Sequence, residues 1–183
     1  MVIREKRFTV EAFREYTQLP ENEGRKLELE DGLVIEMASS SPINTIVAGR
    51  IIHYLNAFVI PNDLGHVTSP DGGFKLKAGT SRQPDAAFIS KARLPQIPDA
   101  FDIAPDLAVE VVSPQEDVLR KVDEYLAAST QIVWTVYCDE QRVFVFSQAD
   151  YPVLRGVPHN IGDVLDGGNV LVGFSLSVSD IFP

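Results

Sequence analysis

The stretch LAVEVVSP, residues 107–114, decides the fold. Five of its first six residues are apolar and most of these are β-branched, which is typical of a strand buried on both faces. Glu110 interrupts the apolar run, although a glutamate is almost never fully buried unless it is paired or coordinates a metal. The segment therefore predicts a central strand of a sheet and a special environment for one carboxylate.

The bulk composition is that of an ordinary globular protein. The chain has 183 residues, 45% of them hydrophobic and 23% charged, so we expect residues 1–183 to form one domain with a substantial core. Cys138 is the only cysteine, which excludes an intramolecular disulfide bond. No apolar run approaches the roughly 20 residues of a membrane-spanning helix, and the N-terminus lacks the apolar segment of a signal peptide. We therefore expect a soluble, cytoplasmic protein.

The charge of the chain is strongly negative but unevenly spread. The formal net charge is −10 and the isoelectric point is about 4.7, which argues against a broad attraction to nucleic acid or to anionic membranes. Residues 71–93 nevertheless hold five basic side chains against two acidic ones. This window predicts a local basic patch that includes Lys75, Lys77 and Arg82.

Three segments carry helix signals. Residues 9–16 have apolar side chains at helical spacing behind a threonine that can act as N-cap. Residues 41–60 begin with Ser-Pro, an N-cap followed by a first-turn proline, and continue with helical spacing. The third helix is predicted directly after the strand at 107–112, with Ser113 as N-cap, Pro114 at the first helical position and Glu116 completing a capping box.

The remaining elements are predicted as strands. Asp31-Gly32 between two alternating runs is a strong hairpin signal. Further candidate strands are HVTS (66–69), GFKLKAG (73–79), PDAAFIS (84–90), IVWTVYC (132–138) and RVFVFS (142–147). The glycine-containing tail predicts loops and a short closing segment that ends at Phe182. The order of helices and strands indicates a mixed α/β or α+β domain.

A second acid, Asp85, begins the strand that precedes the stretch of Glu110. Asp85 shares a face with Ala87 and Ile89, because strand side chains alternate. If the two strands are neighbours, the two carboxylates point into one small volume and repel each other, unless one takes up a proton. Mg²⁺ and Mn²⁺ prefer carboxylate oxygens and would remove the conflict, with the backbone carbonyl of Val111 as a further ligand.

A lysine lies within reach of these acids. Lys121 comes about two helical turns after Ser113, beside Val118 and Tyr125 at the edge of the buried stripe. From there it could reach back towards the two carboxylates. Two acids and a lysine around a metal form a hydrolytic site for phosphodiesters, in which the ion generates hydroxide and the cations stabilise charge that builds on the phosphate.

These residues resemble the PD-(D/E)XK nuclease superfamily, and more closely its branch of restriction-endonuclease-like proteins long described as a domain of unknown function. The similar stretches cover most of the chain. They are LELEDGLVIEM (27–37), SPDGGFKL (69–76) with QPDAAFIS (83–90), LAVEVVSP (107–114) with DVLRKVDEY (117–125), IVWTVYC (132–138) and VLVGFSLSVSDIF (170–182). The resemblance implies a restriction-endonuclease-like core, in which helices flank a mixed central sheet.

The same resemblance implies a Mg²⁺- or Mn²⁺-dependent endonuclease that cuts nucleic acid, with DNA as the expected substrate. Asp85 and Glu110 would bind the metal, Lys121 would be the catalytic lysine, and Glu28 would be an additional site acid. Lys75, Lys77 and Arg82 would contact the nucleic-acid backbone. A homodimer is also implied, since many nucleases of the superfamily cut both strands as dimers.

Two positions depart from the patterns of the superfamily and the branch. The usual lysine of the superfamily lies two residues after the glutamate, where this chain has Val112. Lys121 instead matches the branch, in which the lysine lies on the following helix. The branch also often has a histidine near the start of the second helix, where this chain has Asn44.

Each site residue also has a purely structural interpretation. Asp85 is of a type common at strand starts, Glu110 could form a buried ion pair, and Glu28 could lie on the wet face of a hairpin. Lys121 could pair with Asp117 four residues earlier on an exposed helix face. The corresponding functional alternative is a catalytically inactive binding or regulatory module, whereas the combination of Asp85, Glu110 and Lys121 favours the enzyme.

Overall fold

The computed structural model describes residues 7–114 and 116–183. Its helices are α1 (Val10–Thr17), α2 (Pro42–Val59), α3 (Val118–Ala127) and α4 (Val178–Ile181). Its strands are β1 (Leu27–Glu30), β2 (Leu33–Glu36), β3 (Gly65–Thr68), β4 (Phe74–Lys77), β5 (Thr80–Arg82), β6 (Ala86–Ser90), β7 (Leu107–Val111), β8 (Ile132–Tyr137), β9 (Arg142–Ser147), β10 (Val157–His159), β11 (Val164–Gly167) and β12 (Leu171–Ser177). Short 3₁₀ turns lie at Pro20–Asn22 and Gln148–Asp150. None of the described helices is long and apolar enough to cross a membrane.

The largest element is a six-stranded sheet in the order β10-β9-β8-β7-β6-β3. β7 and β8 run parallel, and the other neighbours are antiparallel. All five residues of β7 are buried, so the stretch LAVEVVSP supplies a central strand as predicted. The parallel connection from β7 to β8 passes through α3, as such crossovers commonly do. The predicted mixed α/β fold, with a mixed sheet flanked by helices, is confirmed.

The two faces of this sheet are covered by different elements. Leu107, Val109 and Val111 contribute to the main core, together with residues of α2, α4 and the β11–β12 hairpin. Ala108 packs on the other face against apolar residues of α3. Because strand side chains alternate, Glu110 lies on the same face as Ala108, beneath α3.

A four-stranded antiparallel sheet in the order β2-β1-β5-β4 lies close to α3. Asp31 and Gly32 form the turn of the β1–β2 hairpin with φ values of 47° and 84°, which is the left-handed backbone that a two-residue turn of type I′ requires. The hairpin is therefore confirmed. β5 was not predicted, and its three residues are all buried.

The start of α3 is four residues later than the sequence predicts. Asp117, not Ser113, is the N-cap, and its side chain accepts a hydrogen bond from the N–H of Arg120. Ser113 is already engaged, since its Oγ accepts from Asn44 at 3.3 Å and its N–H donates to Glu116 at 3.2 Å. Of the two hydrogen bonds of the predicted capping box, the one from the Ser113 N–H to Glu116 forms, but it lies in the loop that precedes α3.

The tail is more regular than predicted. It contains three strands and α4, and the side chains of Leu165, Leu171 and Phe174 are buried in the main core. The β11–β12 ladder shifts register between Asp166 and Gly167. Gly173, inside β12, has a φ of 89°. These irregularities interrupt the alternation that would have indicated strands in the sequence.

Candidate functional site

The register of β6 and β7 places Asp85 beside Glu110. Ala86 pairs with Val109 and the following residue pairs with Ala108, so the residue just before β6 is level with Glu110. The N–H of Val111 donates to Asp85 Oδ2 at 2.8 Å, which fixes the orientation of that carboxylate. The two acid-bearing strands are therefore neighbours, as the sequence predicts.

Glu110 is buried, and both of its carboxylate oxygens are bound. The hydroxyl of Tyr125 donates to Oε1 at 2.8 Å, and Nζ of Lys121 lies 3.1 Å from Oε2. Lys121 and Tyr125 reach the same carboxylate because residues four apart on a helix share a face. The sequence predicted the proximity of Lys121 but missed the role of Tyr125, for which the same helical spacing was the available signal.

Lys121 lies among three carboxylates. Its Nζ is 2.6 Å from Glu116 Oε1, 3.1 Å from Glu110 Oε2 and 3.3 Å from Glu28 Oε1. The side chain is 7% exposed. The alternative of an exposed ion pair with Asp117 is therefore wrong, because Asp117 caps α3 while Lys121 faces the sheet.

Glu28 lies behind Lys121 in the protein interior. Its Oε1 accepts from Lys121 and from the N–H of Gln83 at 3.1 Å, and its Oε2 accepts from Arg82 at 2.9 Å. The interpretation of Glu28 as the wet face of a hairpin is wrong, because Arg82 of β5 and Lys121 of α3 both bind it. Glu28 therefore helps to hold the Lys121 side chain in place from the side of the protein interior.

Arg82 is the centre of a largely buried ion cluster, which we term the Arg82 hub: Arg82, Glu28, Glu30 and Glu124. Each of the three guanidinium nitrogens meets one carboxylate, at 2.9 Å for Glu28 and 2.7 Å for both Glu30 and Glu124. The Arg82 side chain is only 2% exposed. Burial acts to lower the pKa of Arg82, but the three acids raise it overall. The predicted contact of Arg82 with a nucleic-acid backbone is wrong, since this side chain does not reach the surface.

A cleft of about 220 Å³ opens in front of Asp85 and Glu110. Its lining includes the cleft cluster, which we define as Asp85, Glu110, Glu116, Lys26 and Lys121. Nζ of Lys26 lies 3.4 Å from Asp85 Oδ1. A water occupies about 30 Å³ in the liquid, so the cleft has room for a hydrated ion. No local sequence pattern indicates a role for Lys26, because its position near Asp85 depends on how the β1–β2 hairpin packs.

The cleft cluster holds three carboxylates but only two ammonium groups. Burial raises the pKa of Asp85, and Lys26 opposes this effect only in part. Burial also raises the pKa of Glu110; Lys121 opposes the rise, and the neighbouring carboxylates add to it. Burial acts to lower the pKa of Lys121, but its three acidic neighbours raise it above the ordinary value. Lys121 therefore stays protonated at neutral pH, whereas the raised pKa of Glu110, about 8, favours a proton on that acid while the cleft holds no cation.

The predicted basic patch is neutralised in the structure. Lys75 lies 2.6 Å from Glu11, and Lys77 lies 2.9 Å from Asp31. The sequence window missed this pairing because α1 and the β1–β2 hairpin bring acids from distant parts of the chain.

Asn44, at the position where the resembling branch often has histidine, is buried at the start of α2. Its Nδ2 lies 3.3 Å from Ser113 Oγ and 3.5 Å from the carbonyl oxygen of Val112. Asn44 thus ties α2 to the segment that leaves β7, one wall of the cleft.

Within residues 7–114 and 116–183, no group of three or more His, Cys, Asp or Glu side chains is placed to hold a metal ion. Asp85 and Glu110 offer two carboxylates, and Val111 would add a backbone oxygen. Mg²⁺ commonly keeps several waters and takes only one or two carboxylates from the protein. The donor set therefore suits an ion that binds through few side chains.

Comparisons with known proteins agree with this fold. The family model Uma2, described as "Putative restriction endonuclease", matches residues 13–179. Among solved structures, the chain is similar to "a putative nuclease belonging to DUF820" from Anabaena variabilis ATCC 29413, with a TM-score of 0.81 and 23% sequence identity over 96% of this chain and 97% of that one. No curated protein matches the sequence.

Proposed function

The chain belongs to the Uma2 family, and we propose that it is a nuclease that hydrolyses phosphodiester bonds of DNA with the help of a bound Mg²⁺ or Mn²⁺ ion. The cleft cluster carries this proposal: Asp85 and Glu110 lie side by side, Lys121 contacts Glu110, and the three line an open cleft. A structural ion pair alone does not require an open cleft.

The side chains present fit a hard divalent cation. Both acids offer the oxygen ligands that Mg²⁺ and Mn²⁺ prefer, and such an ion would stabilise the charged forms that burial and mutual repulsion disfavour. Asp85 Oδ1 has only a long contact, 3.4 Å, to Lys26. We propose Asp85 and Glu110 as the side-chain ligands and the carbonyl of Val111 as the third protein ligand.

The bound ion would supply Lewis-acid chemistry, lowering the pKa of a water and withdrawing charge from the phosphate. Lys121 is protonated, so it acts as a fixed positive charge and not as a base. Its ammonium group stabilises negative charge as it builds on the phosphate oxygens. Glu28 and Glu116 hold Lys121 in place beforehand, and Tyr125 holds Glu110, so little reorganisation accompanies the reaction.

DNA is the proposed substrate because the family description names restriction endonucleases, which act on DNA. A homodimer remains a prediction; two copies would present one cleft cluster to each strand of a duplex. Lys75 and Lys77 could still contact the DNA backbone, but only by exchanging their acidic partners for phosphates.

A plasmid-nicking assay tests the proposal. Supercoiled DNA is incubated with the protein in Mg²⁺ or Mn²⁺, and we expect nicked or linear products that disappear with EDTA. Asp85→Asn and Glu110→Gln should abolish cleavage by removing metal ligands. Glu140→Gln is the matched control, since Glu140 is an exposed glutamate of the β8–β9 turn. Cleavage that resists EDTA, or that survives Asp85→Asn, would contradict the proposal.

The second candidate function is a binding module without catalysis. The observation in its favour is that Lys26 and Lys121 already contact the two acids, so the cleft is partly neutralised by the chain itself. This alternative predicts that neither divalent ion binds and that no plasmid is cut.

A further inference from the structure

Lys26 occupies a fixed position at the mouth of the cleft. It immediately precedes β1, and its carbonyl oxygen accepts a hydrogen bond from the N–H of Met37 at 2.9 Å, which holds its backbone at the base of the β1–β2 hairpin. Its side chain extends to Asp85 and is 30% exposed. The ammonium group therefore lies between the buried acids and solvent.

The two lysines of the cleft are held very differently. Lys121 contacts three carboxylates and is almost completely buried. Lys26 has one carboxylate contact among the described residues, and that contact is long. Glu36, another acid of the cleft lining, is already bound by Arg25 at 2.6 Å and 3.0 Å. A long, flexible lysine side chain with one weak partner can exchange that partner at little cost.

On the basis of the proposed function, we propose that Lys26 is a second functional lysine of the active site. It neutralises Asp85 while the cleft holds no metal, and it turns to a substrate phosphate when a divalent ion takes over Asp85. An ammonium group and a divalent cation that share one carboxylate repel each other, and Lys26, with one long contact, gives way more readily than Lys121, which two further acids hold. Metal binding therefore frees Lys26 at the place where a phosphate would enter.

Lys26→Met tests the first half of this inference by calorimetric titration of Mn²⁺ into metal-stripped protein. Removing the competing charge should tighten Mn²⁺ binding about tenfold. Lys26→Arg, which keeps the charge, should remain close to the wild type. Lys91→Met is the matched control, because Lys91 forms an exposed pair with Asp63 on another part of the surface.

The affinity for a short fluorescein-labelled DNA duplex tests the second half. The measurement uses fluorescence anisotropy with Ca²⁺ as the divalent ion, since Ca²⁺ also takes carboxylate oxygens. Lys26→Met should weaken duplex binding by about fivefold to tenfold, because one phosphate contact is lost. The same substitution thus tightens metal binding and weakens DNA binding, and loss of a merely structural ion pair does not produce these opposite effects.

The outcomes separate this inference from the proposed function. A wild-type protein that binds Mn²⁺, with a Lys26→Met variant that binds it no more tightly, overturns the role of Lys26 and leaves the proposed function standing. Tighter Mn²⁺ binding with unchanged duplex affinity overturns the phosphate contact. A wild-type protein that binds no Mn²⁺ overturns the proposed function, and the inference with it.

Discussion

The Arg82 hub and the cleft cluster both surround cations with carboxylates, but the hub is largely buried whereas the cleft cluster is open to solvent on one side. In the hub, the three nitrogens of one guanidinium meet three acids at 2.7–2.9 Å. In the cleft cluster, the ammonium contacts range from 2.6 to 3.4 Å, and one side is open. The rigid fork of arginine suits a permanent structural joint, whereas lysine is a point charge on a flexible stem.

Glu28 joins the two clusters, since one of its oxygens binds Arg82 and the other binds Lys121. The buried hub can therefore act as the support on which the open site is built. We expect substitutions in the hub to cost stability, and substitutions in the cleft cluster to cost metal binding or catalysis.

The largest expected effect comes from removing the centre of the hub. Arg82→Met takes the buried cation from three acids, although Glu28 keeps Lys121 and Glu30 keeps Arg120, and we expect the free energy of unfolding to fall by about 3–5 kcal/mol, as for broken buried ion pairs. Arg82→Lys should lower the free energy of unfolding by less, because lysine keeps the positive charge but cannot bind three carboxylates with the geometry of a guanidinium group. Urea denaturation measures both, with the exposed Arg155→Met as control. A loss below about 1 kcal/mol for Arg82→Met would show that the hub is not a structural joint.

Lys121→Met separates catalysis from metal binding. We expect the rate of plasmid cleavage to fall by about 10²–10³, because the fixed charge that stabilises the phosphate is lost. Mn²⁺ affinity, measured by calorimetry, should stay the same or rise, since a competing cation has been removed. A variant that cleaves as fast as the wild type would remove Lys121 from the mechanism.

A matched pair of glutamate substitutions compares the two clusters directly. Glu124→Gln takes a charged partner from buried Arg82 and should lower the free energy of unfolding by about 1–3 kcal/mol. Glu110→Gln should lower it less, because repulsion among the cleft acids is relieved, although the one amide oxygen can accept from only one of Tyr125 and Lys121. The comparison fails if Glu110→Gln, in metal-free protein, destabilises as much as Glu124→Gln.

The smallest expected effect concerns a wall of the cleft. Asn44→Ala removes the contacts to Ser113 and to the carbonyl of Val112, and should cost about 1 kcal/mol in urea denaturation. Mn²⁺ affinity should change by less than about twofold, since Asn44 binds neither acid. A large loss of metal affinity would instead give Asn44 a role in the site.

The open site was more predictable from the sequence than the hub that supports it. Asp85 and Glu110 lie on apolar strands with clear alternation, so their common face and their proximity followed from strand geometry. Lys121 followed from helical spacing. These signals are local, and each needs only the assumption that two consecutive strands are neighbours.

The hub depends on contacts between distant segments. Arg82 lies in TSRQ, a polar stretch after Gly79 that has no strand pattern, and it was assigned to a basic patch. Its burial arises because β1 and α3 bring Glu28 and Glu124 to it. The predicted N-cap of α3, Ser113, likewise meets a distant residue, since its Oγ accepts from Asn44 of α2.

Calorimetric titration of Mn²⁺ into metal-stripped wild-type protein, Glu110→Gln and Glu124→Gln best separates the two clusters. We expect one saturable site in the wild type and in Glu124→Gln, because the hub is not a metal site. We expect no binding in Glu110→Gln, which keeps the fold but loses a ligand. Absence of binding in the wild type, or binding that persists in Glu110→Gln, would contradict the assignment of the cleft cluster as a metal-dependent active site.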